Sequence, residues 1–197
     1  MTEMDRADER SVVARLRAGD IDAFDEVYDA YRPRVFAFLL RMTRNRMLAE
    51  DLLDETWLRL VRHAPKLLPD TRVGPWLFTV ARNLYWNYRR DSLVPDASVP
   101  DLLTLWPSPV PWPSPFDLAA AGELERRVER ALATLSPPYR EVLLLVAHEG
   151  LTPAEAAVVC GVSPDALRQR LLRARAALAR TLEDTPAVAG LKKGYAI

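Results

Sequence analysis

Residues 74–90 read GPWLFTVARNLYWNYRR, and the reading of this stretch decides the fold. Leu77, Val80, Ala81, Leu84 and Tyr88 recur at helical spacing and make an apolar stripe. The remaining positions carry Arg82, Asn83, Trp86, Asn87, Arg89 and Arg90. No acidic residue lies between Arg72 and Arg90. Arginines hold phosphates, aromatic rings stack on unpaired bases, and amides read base edges. One face of this helix therefore fits a helical core, and the other fits DNA from which a base has left the stack. The alternative is an amphipathic helix with Trp76 and Phe78 in the core and its arginines in water. The stretch alone does not separate the two.

The whole chain has 197 residues, enough for one large or two small domains. Lys+Arg and Asp+Glu number 27 each, but the charges are not evenly spread. Residues 1–31 hold nine acids and four arginines, residues 91–117 four aspartates and no base, and residues 165–180 five arginines and one aspartate. Such blocks leave a nucleic-acid partner open despite zero net charge. Cys160 is the single cysteine, which excludes an intrachain disulfide and argues against a cysteine metal cluster. The N-terminus lacks an apolar signal core, and no apolar run is long enough to span a bilayer, so a cytoplasmic protein without membrane insertion is expected.

Outward from residues 74–90, the pattern is helical throughout. Residues 1–10 are charged and expected to fray. A helix is expected over 11–18, closed by Gly19, with Asp20 capping the next. Pro33 interrupts or kinks that second helix, which runs to about Thr43. Another helix covers 47–63, with Leu48, Leu52, Leu53, Trp57, Leu60 and Val61 as its apolar set and Glu50, Asp51, Asp54 and Glu55 in its first half. Those carboxylates favour a helix start and equally make an acidic docking face. They do not form an acid/base pair. Residues 8–91 thus make a first helical domain.

Residues 92–116 hold seven of the sixteen prolines together with Trp106 and Trp112, and read as a proline-rich linker. A second helical domain covers 117–182. In it Ser136-Pro137 starts a helix that stops at Gly150, and Thr152-Pro153-Ala154-Glu155 has capping-box spacing. The short helix so begun ends at Gly161, and Ser163-Pro164 opens a longer one. Short helix, glycine turn and long helix make a helix-turn-helix. In the long helix Leu167, Leu171, Ala174, Leu178 and Leu182 share one side. Gln169, Leu172 and Arg173 point away from it, with Arg168 and Arg175 on a flank. This is a side-chain set suited to a major groove; the alternative is a basic solvated helical hairpin. Residues 183–197 read as a tail.

The chain resembles RNA polymerase sigma factors of the extracytoplasmic-function (ECF) type. AEDLLDETWLRLVRH at 49–63 is similar to the helix that binds core polymerase, residues 74–90 to the segment that melts and reads the −10 element, and residues 135–178 to the −35-reading domain. The resemblance implies an all-α fold and a transcription initiation factor that directs core RNA polymerase to promoter DNA. Asp51, Asp54 and Glu55 would dock on polymerase. The loop 64–73 with Arg82, Asn83, Trp86, Asn87, Arg89 and Arg90 would hold the −10 strand. Arg168, Gln169, Leu172, Arg173 and Arg175 would contact the −35 element. An anti-sigma factor is a family expectation as partner. No cofactor or metal is implied, and no enzyme activity. His148-Glu149 begins a zinc-protease pattern, but Thr152 stands where the second histidine belongs. A conventional helix-turn-helix regulator is the competing reading. It leaves residues 47–90 without a role.

Overall fold

A computed structural model describes residues 6–93 and 122–184. Among them every regular element is helical. Helix α1 spans Arg6–Arg17, α2 Ile21–Thr43, α3 Arg46–His63 and α4 Val73–Leu93. The C-terminal half has α5 at Glu123–Thr134, α6 at Pro137–Leu143, α7 at Pro153–Cys160 and α8 at Pro164–Asp184.

The boundaries follow from local chemistry. Asp20 accepts from the backbone N–H groups of Asp22 and Ala23 and starts α2. Pro33 sits inside α2 without ending it. It is exposed, as is Asp29, whose carbonyl loses its helical donor to the proline and faces water instead. Arg44 takes a left-handed conformation (φ 56°) to end α2, and the Asn45 side chain accepts from the Leu48 N–H to begin α3. Helix α1 begins at Arg6, within the segment expected to fray, because Glu9 is needed inside. Its side chain is buried and accepts the Val73 N–H at 2.9 Å, so a carboxylate from α1 caps the first turn of α4.

Helices α2, α3 and α4 pack around Phe38, Leu39, Leu60, Leu77 and Phe78, all essentially inaccessible. Phe38 and Phe78 meet edge to face, 5.5 Å between centroids. The buried stripe of α4 is Leu77, Phe78, Ala81, Leu84 and Tyr85. Tyr88 lies beyond it at 41 % exposure, which corrects its placement on the apolar stripe. Val61 likewise faces solvent, not the core.

In the C-terminal half Val142, Leu143, Leu144, Leu145, Leu167, Leu171 and Ala174 form the core. After Leu143 the helix widens into a π turn over Leu144–His148, closed by the Glu149 N–H on the Leu144 carbonyl. No residue pattern announced this turn. Thr152 and Glu155 form the reciprocal capping box of α7, and Gly161 ends it at φ 63°. No described helix is long and apolar enough to cross a membrane.

The two halves pack on each other, chiefly α4 against α7 and the C-terminal part of α2 against α6. The apolar core runs on across this boundary, which also carries four ion pairs. Arg34 pairs with Glu149, Arg41 with Glu129, Arg72 with Glu155 and Arg82 with Glu141. Arg140, only 5 % exposed, crosses in the other direction. Its guanidinium donates to the carbonyls of Arg41 and Met42 at the end of α2 and of Leu132, Ala133 and Leu135 at the end of α5.

Candidate nucleic-acid and polymerase interfaces

Helix α8 is held to the fold by Leu167, Leu171 and Ala174, and this fixes which residues face outward. Arg168, Gln169, Leu172, Arg173 and Arg175 are all exposed, and Leu172 is 72 % accessible, a large apolar side chain offered to solvent. Arg168 pairs with Asp165 one turn earlier. The Ser163 hydroxyl accepts the Ala166 N–H and caps the helix start. A rigid helix end with arginine, glutamine and an apolar tip is the arrangement that reads base edges and a thymine methyl in a major groove.

Helix α4 divides its polar residues between two settings. Asn83, Asn87 and Arg90 are exposed. Asn83 accepts from Arg82 and Asn87 from Arg90, at 3.1 Å each, so the two amides keep their N–H groups for other acceptors. Arg89 is half-buried and donates to the Tyr85 hydroxyl. Arg82 and Trp86 face the C-terminal half. The Arg82 Nε and the Trp86 indole N–H both donate to Glu141 Oε1, at 2.9 and 2.7 Å. Glu141 is fully buried, and its other oxygen lies 3.7 Å from Cys160 Sγ. Burial, with this carboxylate alongside, pushes the Cys160 thiol up to about 12. The six α4 residues singled out in the sequence are therefore not one surface: Arg82 and Trp86 are engaged, and Asn83, Asn87 and Arg90 are open.

The loop before α4 is held at both ends of Arg72, which lies between Glu9 of α1 and Glu155 of α7. Leu68 stands out from this loop at 68 % exposure.

On α3, Asp51 and Asp54 are exposed, while Glu55 is half-buried and paired with Arg59. Three further residues share the outer face. Met47, Leu58 and Val61 are 65, 49 and 56 % accessible and fall with Asp51 and Asp54 at alternating steps of three and four. The apolar set expected of this helix from sequence includes Val61 and omits Met47 and Leu58. On a helical wheel phased by the buried Leu52, Leu53 and Leu60, all three fall on the outer face. Among the described residues no cluster of His, Cys, Asp or Glu could hold a metal ion.

The chain matches two family models, Sigma-70 region 2 over residues 27–92 and Sigma-70 region 4 over residues 125–178. It is 37 % identical over 159 residues to the RNA polymerase sigma factor CarQ of Myxococcus xanthus, covering 81 % of this chain and 88 % of CarQ. It is 34 % identical over 152 residues to the ECF RNA polymerase sigma factor SigM of Bacillus subtilis, covering 77 and 90 %. Among solved structures, CnrH in complex with the cytosolic domain of CnrY superposes with a TM-score of 0.67 at 23 % identity, over 90 % of this chain and 99 % of that one. The sigma factor RpoE of Bartonella quintana, in complex with the anti-sigma factor NepR, gives 0.62 at 23 % identity over 83 and 98 %. These two share the fold. Matches to both regions in this order, on an all-helical frame with an outward-facing helix-turn-helix, leave the conventional regulator unsupported, and the chain belongs to the ECF sigma factors of RNA polymerase, the subunits that direct it to promoters.

Proposed function

We propose that the chain divides promoter recognition among three of the surfaces described above. The outer face of α3 docks on core polymerase: Asp51, Asp54 and Glu55 supply charge, and Met47, Leu58 and Val61 supply apolar area that is otherwise left in water. The loop 64–73 and the polar side of α4 (Arg82, Asn83, Trp86, Asn87, Arg89, Arg90) hold the −10 strand. Extruding a base costs a few kcal/mol, and stacking on an aromatic ring returns about 1–3 kcal/mol. Arg168, Gln169, Leu172, Arg173 and Arg175 of α8 read the −35 element as duplex, each good bidentate contact adding about 1–3 kcal/mol of discrimination.

The observation that carries this reading is the outward face of α8, whose five exposed contact residues oppose the Leu167–Leu171–Ala174 anchor. Residues 8–91 and 117–182 act as the two recognition domains, and residues 92–116 as the tether. Residues 92 and 93 still belong to α4, and the rest of the tether, with Trp106 and Trp112, lies outside the described residues. Polymerase raises the effective concentration of two weak half-sites for each other. The protein makes and breaks no bonds itself and works in the cytoplasm, where the polymerase is. The CnrH and RpoE structures are complexes with CnrY and NepR, and by likeness an inhibitor protein of that kind is a partner here.

The test is transcription by bacterial core polymerase on randomised promoter templates, with and without the chain. Discrete starts that require it, preceded by two short motifs, are expected. Arg173→Ala should weaken dependence on the upstream motif. Asn83→Ala should act through the downstream one, and less so on templates already melted there. A folded, uninhibited chain that neither binds core nor changes initiation overturns the proposal.

A further inference from the structure

Arg34, Arg72 and Arg82 each meet a glutamate across the boundary, but Arg44 and Arg89 do not. Both line a cleft of about 440 Å³ where the C-terminal ends of α2 and α5 come beside the second half of α4. Arg140 and Tyr85 also line it and are buried, while Tyr88 is 41 % exposed. Among the described residues no acid lines this cleft. Arg44 reaches only the Ala133 carbonyl, at a long 3.4 Å, and Arg89 only the Tyr85 hydroxyl, at 3.3 Å. A guanidinium carries five N–H donors, so most of theirs have no protein acceptor among the described residues. The Thr43 and Thr134 hydroxyls beside them are already given to backbone carbonyls. Arg140 has spent its donors on the helix ends. Burial lowers its pKa most, Tyr85 opposes this, and the charges of Arg44 and Arg89 lower it further. Three cations thus feel one another across the cleft, and its lining supplies no anion between them.

We propose that this cleft binds a small nucleoside phosphate, with the phosphate between Arg44 and Arg89 and the base on the Tyr88 ring. The guanidinium fork matches phosphate oxygens and gives charge-assisted bonds. The phosphate brings the negative charge that the lining lacks. Tyr88 offers an aromatic face on which any base can stack, and Leu48 and Pro137 add apolar wall. A bare anion would leave that wall unused. The volume is that of a site for one small molecule. Arg44, Tyr88 and Arg89 come from the N-terminal half, and Leu135 and Pro137 from the C-terminal half. A ligand seated here touches both and raises the stability of the folded chain by mass action. The site stands apart from the −10 role proposed for Arg89, because the nucleotide binds with no promoter present.

The experiment uses the full chain at low salt, titrated by calorimetry with ADP, adenosine and inorganic pyrophosphate in turn. ADP is expected to bind, and adenosine and pyrophosphate each to bind at least about tenfold more weakly, since each lacks one part of the recognised group. Arg44→Gln and Arg89→Gln keep the side-chain length and a donor but remove the charge. Each should weaken ADP about tenfold, with helical content retained by circular dichroism. Arg44 is exposed, so its variant serves where Arg89→Gln folds poorly. Tyr88→Leu should weaken ADP and leave pyrophosphate unchanged. No heat at about millimolar ADP overturns the proposal. So does pyrophosphate binding as tightly as ADP, which would make the cleft a patch for any anion. Folded glutamine variants that bind ADP like the wild type would place the ligand elsewhere and refute the site. A single-stranded oligonucleotide provides the last arm: if Arg44→Gln weakens it and leaves ADP untouched, the arginines belong to a strand-binding surface and the nucleotide site falls.

Discussion

Arg140 offers the sharpest test of how the two halves are joined. Among the described residues it is a buried cation with no carboxylate against it. Its five donated bonds go to carbonyls at the C-terminal ends of α2 and α5, where the helix dipoles gather negative charge. Burial lowers its pKa from the ordinary arginine value, followed by weaker influences from neighbours. Arg140→Met keeps the aliphatic packing and deletes every bond. The Leu132 carbonyl still accepts the Leu135 N–H, and the Ala133 carbonyl still accepts from Arg44, so these two retain a donor. The carbonyls of Arg41, Met42 and Leu135 lose the guanidinium. At about 1–3 kcal/mol for each buried acceptor left short, the gross loss is about 3–9 kcal/mol. Relief of the guanidinium's own desolvation, several kcal/mol, offsets much of that. A net loss of about 3 kcal/mol follows, which for a chain of this size lowers Tm by about 6–12 °C. Urea unfolding followed by circular dichroism at fixed pH and salt measures it. Arg140→Lys keeps the charge but carries its donors on a single nitrogen, which cannot reach both helix ends, so it should recover only about 1 kcal/mol. A methionine variant within about 1 kcal/mol of the wild type, or a lysine variant equal to it, would show that the carbonyl cluster is satisfied in some other way.

Other consequences can be checked more simply. Phe78→Ala empties the centre of the α2–α3–α4 core beside Phe38 and should cost about 3–5 kcal/mol in urea unfolding, whereas Tyr88→Ala, outside that core, should cost under about 1 kcal/mol. Thr152→Ala breaks the reciprocal cap of α7 and should lower stability by about 1 kcal/mol, with Thr152→Ser close to neutral. Gly161→Ala puts a Cβ on a residue at φ 63° with open space around it, so the loss of about 1 kcal/mol is pure backbone strain; a stabilised variant would contradict the turn geometry. The Cys160 thiol titrates near 12 in the folded chain, above its ordinary value, so the folded state favours the neutral form. Its contribution to stability is complete below the ordinary thiol range and is lost as pH rises from there toward 12. At pH 8 a thiol reagent should therefore label the native chain far more slowly than the chain in urea; equal rates would place Cys160 outside the core.

Much of this was legible because each half is locally encoded. Asp20, Thr152, Pro153 and Gly161 each act on neighbours within four residues, so their roles follow from spacing alone. The outward set on α8 follows equally from the phase of Leu167, Leu171 and Ala174. What escaped the sequence was long-range. Glu9 meets Val73 across 64 positions, Arg34 meets Glu149 across 115, and Arg82 meets Glu141 across 59. Nothing in the local pattern marks a glutamate as buried when its partner lies so far along the chain. An acid directly before the apolar run VLLLV at 142–146 was the one available hint. The π turn escaped for a similar reason: its extra residue is held by tertiary packing of Leu144 and Leu145, not by any breaker in the sequence.

The two-sided character of α4 has an evolutionary consequence. Leu77, Phe78, Ala81 and Leu84 are pinned by the core, and Arg82 and Trp86 answer to Glu141. A lineage that acquires a new set of target promoters cannot redraw those positions without a matching change elsewhere in the chain. Asn83, Asn87 and Arg90 carry no such obligation to another element, since their side-chain hydrogen bonds stay within α4. On the −10 role proposed for α4, divergence of promoter preference between descendants of this chain should therefore accumulate at these three positions, one helical turn apart.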